Sequence, residues 1–183
     1  MATMNDTAND IVRISRALDY AAQKHSAQRR KGLAQEPYIN HLSEVALLLA
    51  EATGGTDANL IIAGLLHDCI EDQGVSYEEI VALFGADVAG LVRDVTDDKS
   101  LPKAERKRLQ VVSAPHKSAR ARMLKIADKT ANLRSVRHSP PSHWDEKRRH
   151  EYFAWAKEVV AACGEVNPYL QARFEEAHKA GAG

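Results

Sequence analysis

The hexapeptide His67-Asp68-Cys69-Ile70-Glu71-Asp72 sets four ionisable groups directly after the apolar run Leu60-Ile61-Ile62-Ala63-Gly64-Leu65-Leu66. An imidazole and three carboxylates at the end of a buried helix could hold a metal ion and work on a water. If the helix continues through the motif, His67 and Glu71 lie one turn apart, as do Asp68 and Asp72, and the four side chains share one broad face. The plainer reading is a helix end that turns polar where it meets solvent. Two further segments weigh against it. In Pro37-Tyr38-Ile39-Asn40-His41 a histidine stands at a helix start, and in Ile126-Ala127-Asp128-Lys129 an aspartate interrupts a periodic face. Alone, the first reads as a cap and the second as a solvated ion pair. Together, His41, His67, Asp68 and Asp128 would bring two imidazoles and two carboxylates from three helices, which is how helical bundles build metal sites.

The elements that must position these groups are helices. Ile11, Ile14, Leu18 and Ala21 mark a first helix, and Val45, Leu48, Leu49 and Ala52 mark a second that ends at Gly54-Gly55. Thr56 can cap the third, which carries the motif. Ser76-Tyr77-Glu78-Glu79 reads as a capping box for a fourth, closed by Gly85. Helical spacing resumes at 87–95, 102–112, 118–136, 143–162 and 168–179, with breaks at Asp97-Asp98, Pro115, Pro140-Pro141 and Asn167-Pro168. No segment alternates like a strand. The expected fold is all-α, a single domain over 11–179, with disordered ends at 1–10 and 180–183.

Composition narrows the function class. Lys+Arg and Asp+Glu both count 25, so no global field advertises nucleic acid or an anionic membrane as partner. Cys69 and Cys163 are the only cysteines, with no spacing suited to a disulfide framework or a zinc cluster, which suits a reduced, cytoplasmic protein. No basic-then-apolar leader and no membrane-spanning stretch is present. Inside the motif, Cys69 reads as a small core hydrophobe without a catalytic role.

Gln28-Arg29-Arg30-Lys31, Pro37-Tyr38-Ile39-Asn40-His41, the His-Asp-x-x-Glu-Asp motif, Val95-Thr96-Asp97-Asp98-Lys99, and Ala127-Asp128-Lys129 with Asn132 follow one another in this order. In this the chain resembles the HD-domain hydrolases of guanosine tetraphosphate: the stand-alone small alarmone hydrolases, which include the metazoan SpoT homologue, and the hydrolase half of the long RelA/SpoT enzymes. The resemblance covers about residues 16 to 176. It implies a helical HD-domain bundle in which His41, His67, Asp68 and Asp128 hold one metal ion, usually Mn²⁺. Mixed nitrogen and oxygen ligands do not themselves choose among Mn, Fe, Co and Zn. Glu71 and Asp72 correspond to the pair that orients and deprotonates the attacking water. Arg30, Lys31, Asn132, Arg148 and Tyr152 correspond to nucleotide contacts, although Arg29-Arg30-Lys31-Gly32 would otherwise pass as a solvated loop and Tyr152-Phe153-Ala154-Trp155 as a core stripe. Lys99, Lys103 and Arg106 form a basic cluster that reads first as a solvated face. Departures are few: Leu42 stands where proline is frequent, and Thr130 where the family often has a larger apolar residue.

The resemblance implies a stringent-response activity, metal-dependent removal of the 3′-diphosphate from guanosine tetra- or pentaphosphate to give GDP or GTP and pyrophosphate. A second reading keeps the site and changes the substrate to the adenosine alarmones or the 2′-phosphate of NADPH. A third is a nucleotide-binding sensor without catalysis, which should lack a ligand or the Glu-Asp pair; all six positions are filled.

Overall fold

The computed structural model describes residues 4–181. The helices are α1 (Met4–Lys24), α2 (Ile39–Thr53), α3 (Ala58–Leu66), α4 (Cys69–Gln73), α5 (Tyr77–Phe84), α6 (Ala86–Val95), α7 (Lys103–Ser113), α8 (Ala119–His138), α9 (Glu146–Cys163) and α10 (Pro168–Gly181), with a 3₁₀ turn at Ala114–His116. The fold is all-α. Extended pairing among the described residues is confined to one bridge, Arg29 to Pro37, which closes the loop after α1. Of the ends expected to be disordered, 1–3 and 182–183 lie outside the described residues; 4–10 form the first turns of α1, and Ala180 and Gly181 the end of α10.

Helix α3 is the hub because its sequence leaves it no polar face. Ala58 and every residue from Leu60 to Leu66 are buried, and a helix apolar all round must be enclosed on every side. It packs against α1, α2 and α6, with α8 touching it from the far side. Helix α8 in turn packs on α2, α9 and α10. The site lies where α2, α3 and α8 meet.

Helix ends are fixed by side-chain caps. Ser76 Oγ accepts from the Glu79 amide at 3.0 Å, as its spacing predicts. Only half of the expected capping box forms, since the Glu79 carboxylate accepts from Tyr20 Oη at 2.6 Å and Lys24 Nζ at 3.0 Å and so ties α5 to α1. At α3 the cap is Asp57, not Thr56. Asp57 Oδ1 accepts from the Leu60 amide at 3.0 Å and the carboxylate is also held by Arg120, whereas Thr56 Oγ1 donates to the Thr53 carbonyl. Either residue type caps well; Arg120, remote in sequence, favours the carboxylate.

The expected continuous helix through the motif is not formed. Helix α3 ends at Leu66, His67 occupies its C-cap, and α4 starts afresh at Cys69. Asp68 between them adopts φ −99°, ψ 0°, the sparsely allowed bridge region.

Glycine allows the close crossing of α3 and α2. A Cβ on Gly64 would stand 2.8 Å from Leu49 Cδ1 and 3.3 Å from Ala46 Cα. Leu49 is fully buried and has little room to retreat. Overpacking of this kind costs about 1–3 kcal/mol, against a gain of roughly 1 kcal/mol for alanine over glycine inside a helix. Gly64→Ala should therefore lower the urea midpoint followed by circular dichroism, by a net of about 1 kcal/mol. A midpoint at or above that of the parent would show that Leu49 yields.

Candidate active site

The break after Leu66 solves a geometric problem. Neighbouring residues of one helix point about 100° apart, so an unbroken α3 could not aim both His67 and Asp68 at one point. With Asp68 turned in the bridge region, His67 Nε2 lies 3.1 Å from Asp68 Oδ2 and 3.7 Å from Asp128 Oδ1. From the first turn of α2, His41 Nε2 lies 3.3 Å from Asp128 Oδ1 and 3.7 Å from Asp68 Oδ2. Ligand atoms of His41, His67 and Asp128 all fall within 4.8 Å of one another.

These groups fit a divalent cation. His67 Nδ1 donates to the Gly64 carbonyl at 2.8 Å, which turns Nε2 toward the two carboxylates, where it can hold a proton or give its lone pair to a cation. That Nε2 is buried and has no hydrogen-bond partner although Asp68 is only 3.1 Å away. Two imidazole nitrogens and two carboxylates suit a first-row transition ion. The two carboxylates draw positive charge to this point. Burial would push the His67 imidazole down, but Asp68 and Asp128 outweigh it and hold it up at about 10. His41 is pushed down by burial, with Arg30 and His67 adding to the effect and Asp128 opposing it. Burial would raise both aspartates, yet His67 and His41 hold Asp68 below the usual carboxylate range, and Lys129 with the imidazoles does the same for Asp128.

A supporting layer orients the donors. Tyr38 Oη donates to Asp68 Oδ2 at 2.7 Å, and burial together with the Asp68 charge keeps the phenol protonated. Lys129 Nζ donates to Asp128 Oδ2 at 3.0 Å and Asn132 Nδ2 to Asp128 Oδ1 at 2.6 Å. Arg30 Nη2 completes the line by donating to Asn132 Oδ1 at 2.8 Å. So Arg30 and Asn132, read from the sequence as nucleotide contacts, also reach the donor group Asp128. Tyr38 and Lys129 carried no such role in the sequence. The signal was present in the pair Asp128-Lys129, but burial decides its meaning: Lys129 is 4 % exposed and cannot be a solvated partner.

Glu71 and Asp72 leave the short α4 beside this centre. Glu71 Oε2 accepts from the Asp97 amide at 3.3 Å, and Arg106 Nη1 stands 3.8 Å from its other oxygen. Burial and the neighbouring Asp68 charge raise its proton affinity. Asp72 is held from both sides, by Lys99 Nζ at 2.6 Å and Gln28 Nε2 at 2.8 Å. Cys69, on the inner side of α4, is fully buried, and its thiol is pushed up to about 12, first by burial.

Two further cavities lie on this side of the molecule, sharing Lys31, Lys103, Trp144 and Tyr152, and the first reaches the centre. One runs over Arg30, Lys31, Tyr38, Asp68, Glu71, Asp72 and Tyr152. Gly32 lets the loop that carries Arg30 and Lys31 lie against the end of α8, because a Cβ there would stand 2.1 Å from the Ser139 carbonyl oxygen. The second is lined by Lys31, Lys103, Arg106, Lys107 and Arg148 with Trp144, Tyr152 and Trp155. Lys99 and Lys103 are exposed, as a solvated face requires, but Lys103 and the half-buried Arg106 also line this cavity, and Lys99 pairs with Asp72. Lys103 is pushed below its ordinary value by burial and by Arg148, Lys31 and Arg106, a crowding of like charge that favours an anion between them. The aromatic side continues this pattern. Trp144 and Trp155 flank Tyr152 at 5.2 and 5.5 Å between centroids. The Arg148 guanidinium lies 5.6 Å from the Trp144 ring, and the Lys107 and Lys129 ammonium groups lie 4.4 and 4.7 Å from that of Trp155.

Residues 17–157 match the family model described as HD domain. The chain belongs to the HD-domain family. Among its HD-domain relatives, guanosine-3′,5′-bis(diphosphate) 3′-pyrophosphohydrolase MESH1 of Drosophila melanogaster is 47% identical over 159 residues, covering 87% of this chain and 89% of the relative. The protein of the same name from Homo sapiens is 44% identical over 171 residues, covering 93% and 96%. A solved HD-domain structure, described as a metazoan orthologue of SpoT that hydrolyses ppGpp and plays a role in starvation responses, is 45% identical with a TM-score of 0.87 over 91% of this chain and 94% of that one.

Residues that orient metal ligands typically change affinity 10- to 100-fold when removed. Tyr38→Phe, which deletes only the hydroxyl on Asp68, should weaken metal binding by roughly that factor, read by competition with a chromogenic chelator. Unchanged affinity would mean that Asp68 needs no support from Tyr38.

Proposed function

We propose that this chain hydrolyses the 3′-diphosphate of guanosine tetra- and pentaphosphate, releasing pyrophosphate and GDP or GTP, with Mn²⁺ held by His41, His67, Asp68 and Asp128. The observation that carries the proposal is the convergence of these four donors beside the Glu71–Asp72 pair, with Asp68, Glu71 and Asp72 lining a cavity that Arg30, Lys31 and Lys103 also line. The activity printed for the HD-domain relatives supports the same substrate.

When bound, the cation lowers the pKa of a water and draws charge from the phosphoryl oxygens. Glu71, with its raised proton affinity, accepts a proton from the attacking water, and Asp72, clamped by Lys99 and Gln28, orients it. A new oxygen–phosphorus bond forms at the phosphorus attached to the ribose 3′-oxygen, and the bond from that oxygen to phosphorus breaks. The ribose oxygen takes up a proton and pyrophosphate leaves. Arg30, Lys31, Lys103, Arg106 and Arg148 neutralise the phosphates, while Tyr152 and Trp144 offer ring faces to the sugar and base. Two free, buried cysteines, Cys69 and Cys163, support a reducing, cytoplasmic setting. No helix of the described residues is long and apolar enough to cross a membrane.

Purified protein with Mn²⁺ should release pyrophosphate from guanosine tetraphosphate, and Asp72→Asn should slow release by roughly 100-fold or more with helicity and bound metal retained. Metal-loaded protein of parent sequence that releases nothing would overturn the proposal. Running the adenine alarmone and NADPH in the same assay reads the base and phosphate preference. Arg148→Ala removes phosphate binding without touching the reacting atoms, so KM should rise about tenfold while kcat changes little. An equal fall in kcat would place Arg148 at the transition state instead.

A further inference from the structure

Behind Asp72 lies a buried histidine that the chemistry above leaves unused. His25 follows α1, is 2% exposed, and touches both halves of the site. At its edge, Nδ1 lies 2.5 Å from Gln28 Oε1, and Gln28 Nε2 donates to Asp72 Oδ2 at 2.8 Å. At its face, the ring stacks on Tyr38 with centroids 5.1 Å apart and planes 13° from parallel. The Tyr38 hydroxyl in turn donates to Asp68.

The direction of these bonds follows from Asp72. An ionised carboxylate only accepts, so Gln28 must turn its NH₂ to Asp72 and its carbonyl to His25. Gln73 Nε2 donates to the same carbonyl and reinforces that orientation; it also lies 3.2 Å from His25 Nδ1, but the Gln28 carbonyl at 2.5 Å is the closer partner and decides the role of that nitrogen. His25 therefore donates from Nδ1, and its Nε2 keeps a lone pair facing the Cys69 thiol 3.6 Å away. Thiol to imidazole, imidazole to amide, amide to carboxylate: each donor has its acceptor. The opposite tautomer would set two lone pairs against each other at 2.5 Å.

We infer that His25 is a positioning residue which orients Asp72 through Gln28 and Asp68 through Tyr38. Its effect on rate rests on the assignment of Asp72 to the water-handling pair; its bonding pattern does not.

His25→Phe keeps the ring and the stack on Tyr38 but loses the bond to Gln28. It should lower kcat for pyrophosphate release at least tenfold, with KM and bound metal within twofold of the parent. His25→Asn, which can place an amide N–H near the former Nδ1, should recover a large part of that loss; a histidine needed only for packing would give no such rescue. Because the effect passes through Gln28, His25→Phe combined with Gln28→Leu should be no slower than Gln28→Leu alone. Independently of turnover, nitrogen NMR of the parent protein should show a proton on His25 Nδ1. A His25 Nδ1 without a proton overturns the inference even if the nucleotide assignment stands, and in an active enzyme parental kcat in His25→Phe does the same. Absence of hydrolysis with the expected proton on Nδ1 would count against the substrate reading and leave the bonding pattern supported. If His25→Phe does not fold, Gln28→Leu and the Nδ1 proton carry the test, with Gln28→Leu at parental kcat the overturning result.

Discussion

Two carboxylates drawn largely out of water beside two buried imidazoles, where three helices cross, form an arrangement that desolvation alone would forbid. A buried charge is tolerated only when paired and hydrogen-bonded. The surrounding structure meets that condition for Asp68 and Asp128 in every direction: Tyr38 on one, Lys129 and Asn132 on the other, and Arg30 behind Asn132. The demand explains features that look unrelated. Lys129 is buried, α3 stops one residue before His67, and the loop after α1 folds down onto the end of α8, all so that opposite charge or a donor reaches one small volume.

The apolar scaffold makes this possible by being unambiguous. Helix α3 has no polar face and can occupy only the middle of the bundle. The residues that follow it are therefore delivered to the interior whether or not they suit it. The chemistry sits at the end of that helix because a helix end is where the backbone can turn and still bring polar side chains to a buried point.

Helix positions and the all-α fold were readable from apolar periodicity, and the meeting of His41, His67, Asp68 and Asp128 from residue type and family resemblance. The break at His67–Asp68 was not, because no glycine or proline marks it; the turn is stabilised by Tyr38, thirty positions earlier in the chain. The choice of Asp57 over Thr56 as cap was hidden in the same way, resting on Arg120. That the exposed Lys103 and the half-buried Arg106 also line a cavity could not be read, since a charge on a cavity wall and a charge on an open surface have the same sequence. What sets them apart is the proximity of Lys31 and Arg148, which only the fold creates. Local pattern reports local structure; pairings across many residues decide which charges are working ones.

The two tryptophans of the chain, Trp144 and Trp155, line the same cation-rich cavity, and Trp155 carries an ammonium group from Lys107 and another from Lys129 close to its ring. Indole emission responds to nearby charge, and a polyphosphate entering this cavity would compensate the ammonium groups beside Trp155. No tryptophan elsewhere dilutes the signal. The protein thus carries its own optical label at the entrance to its reaction centre, and its intrinsic fluorescence offers a direct view of occupancy without dye or tag.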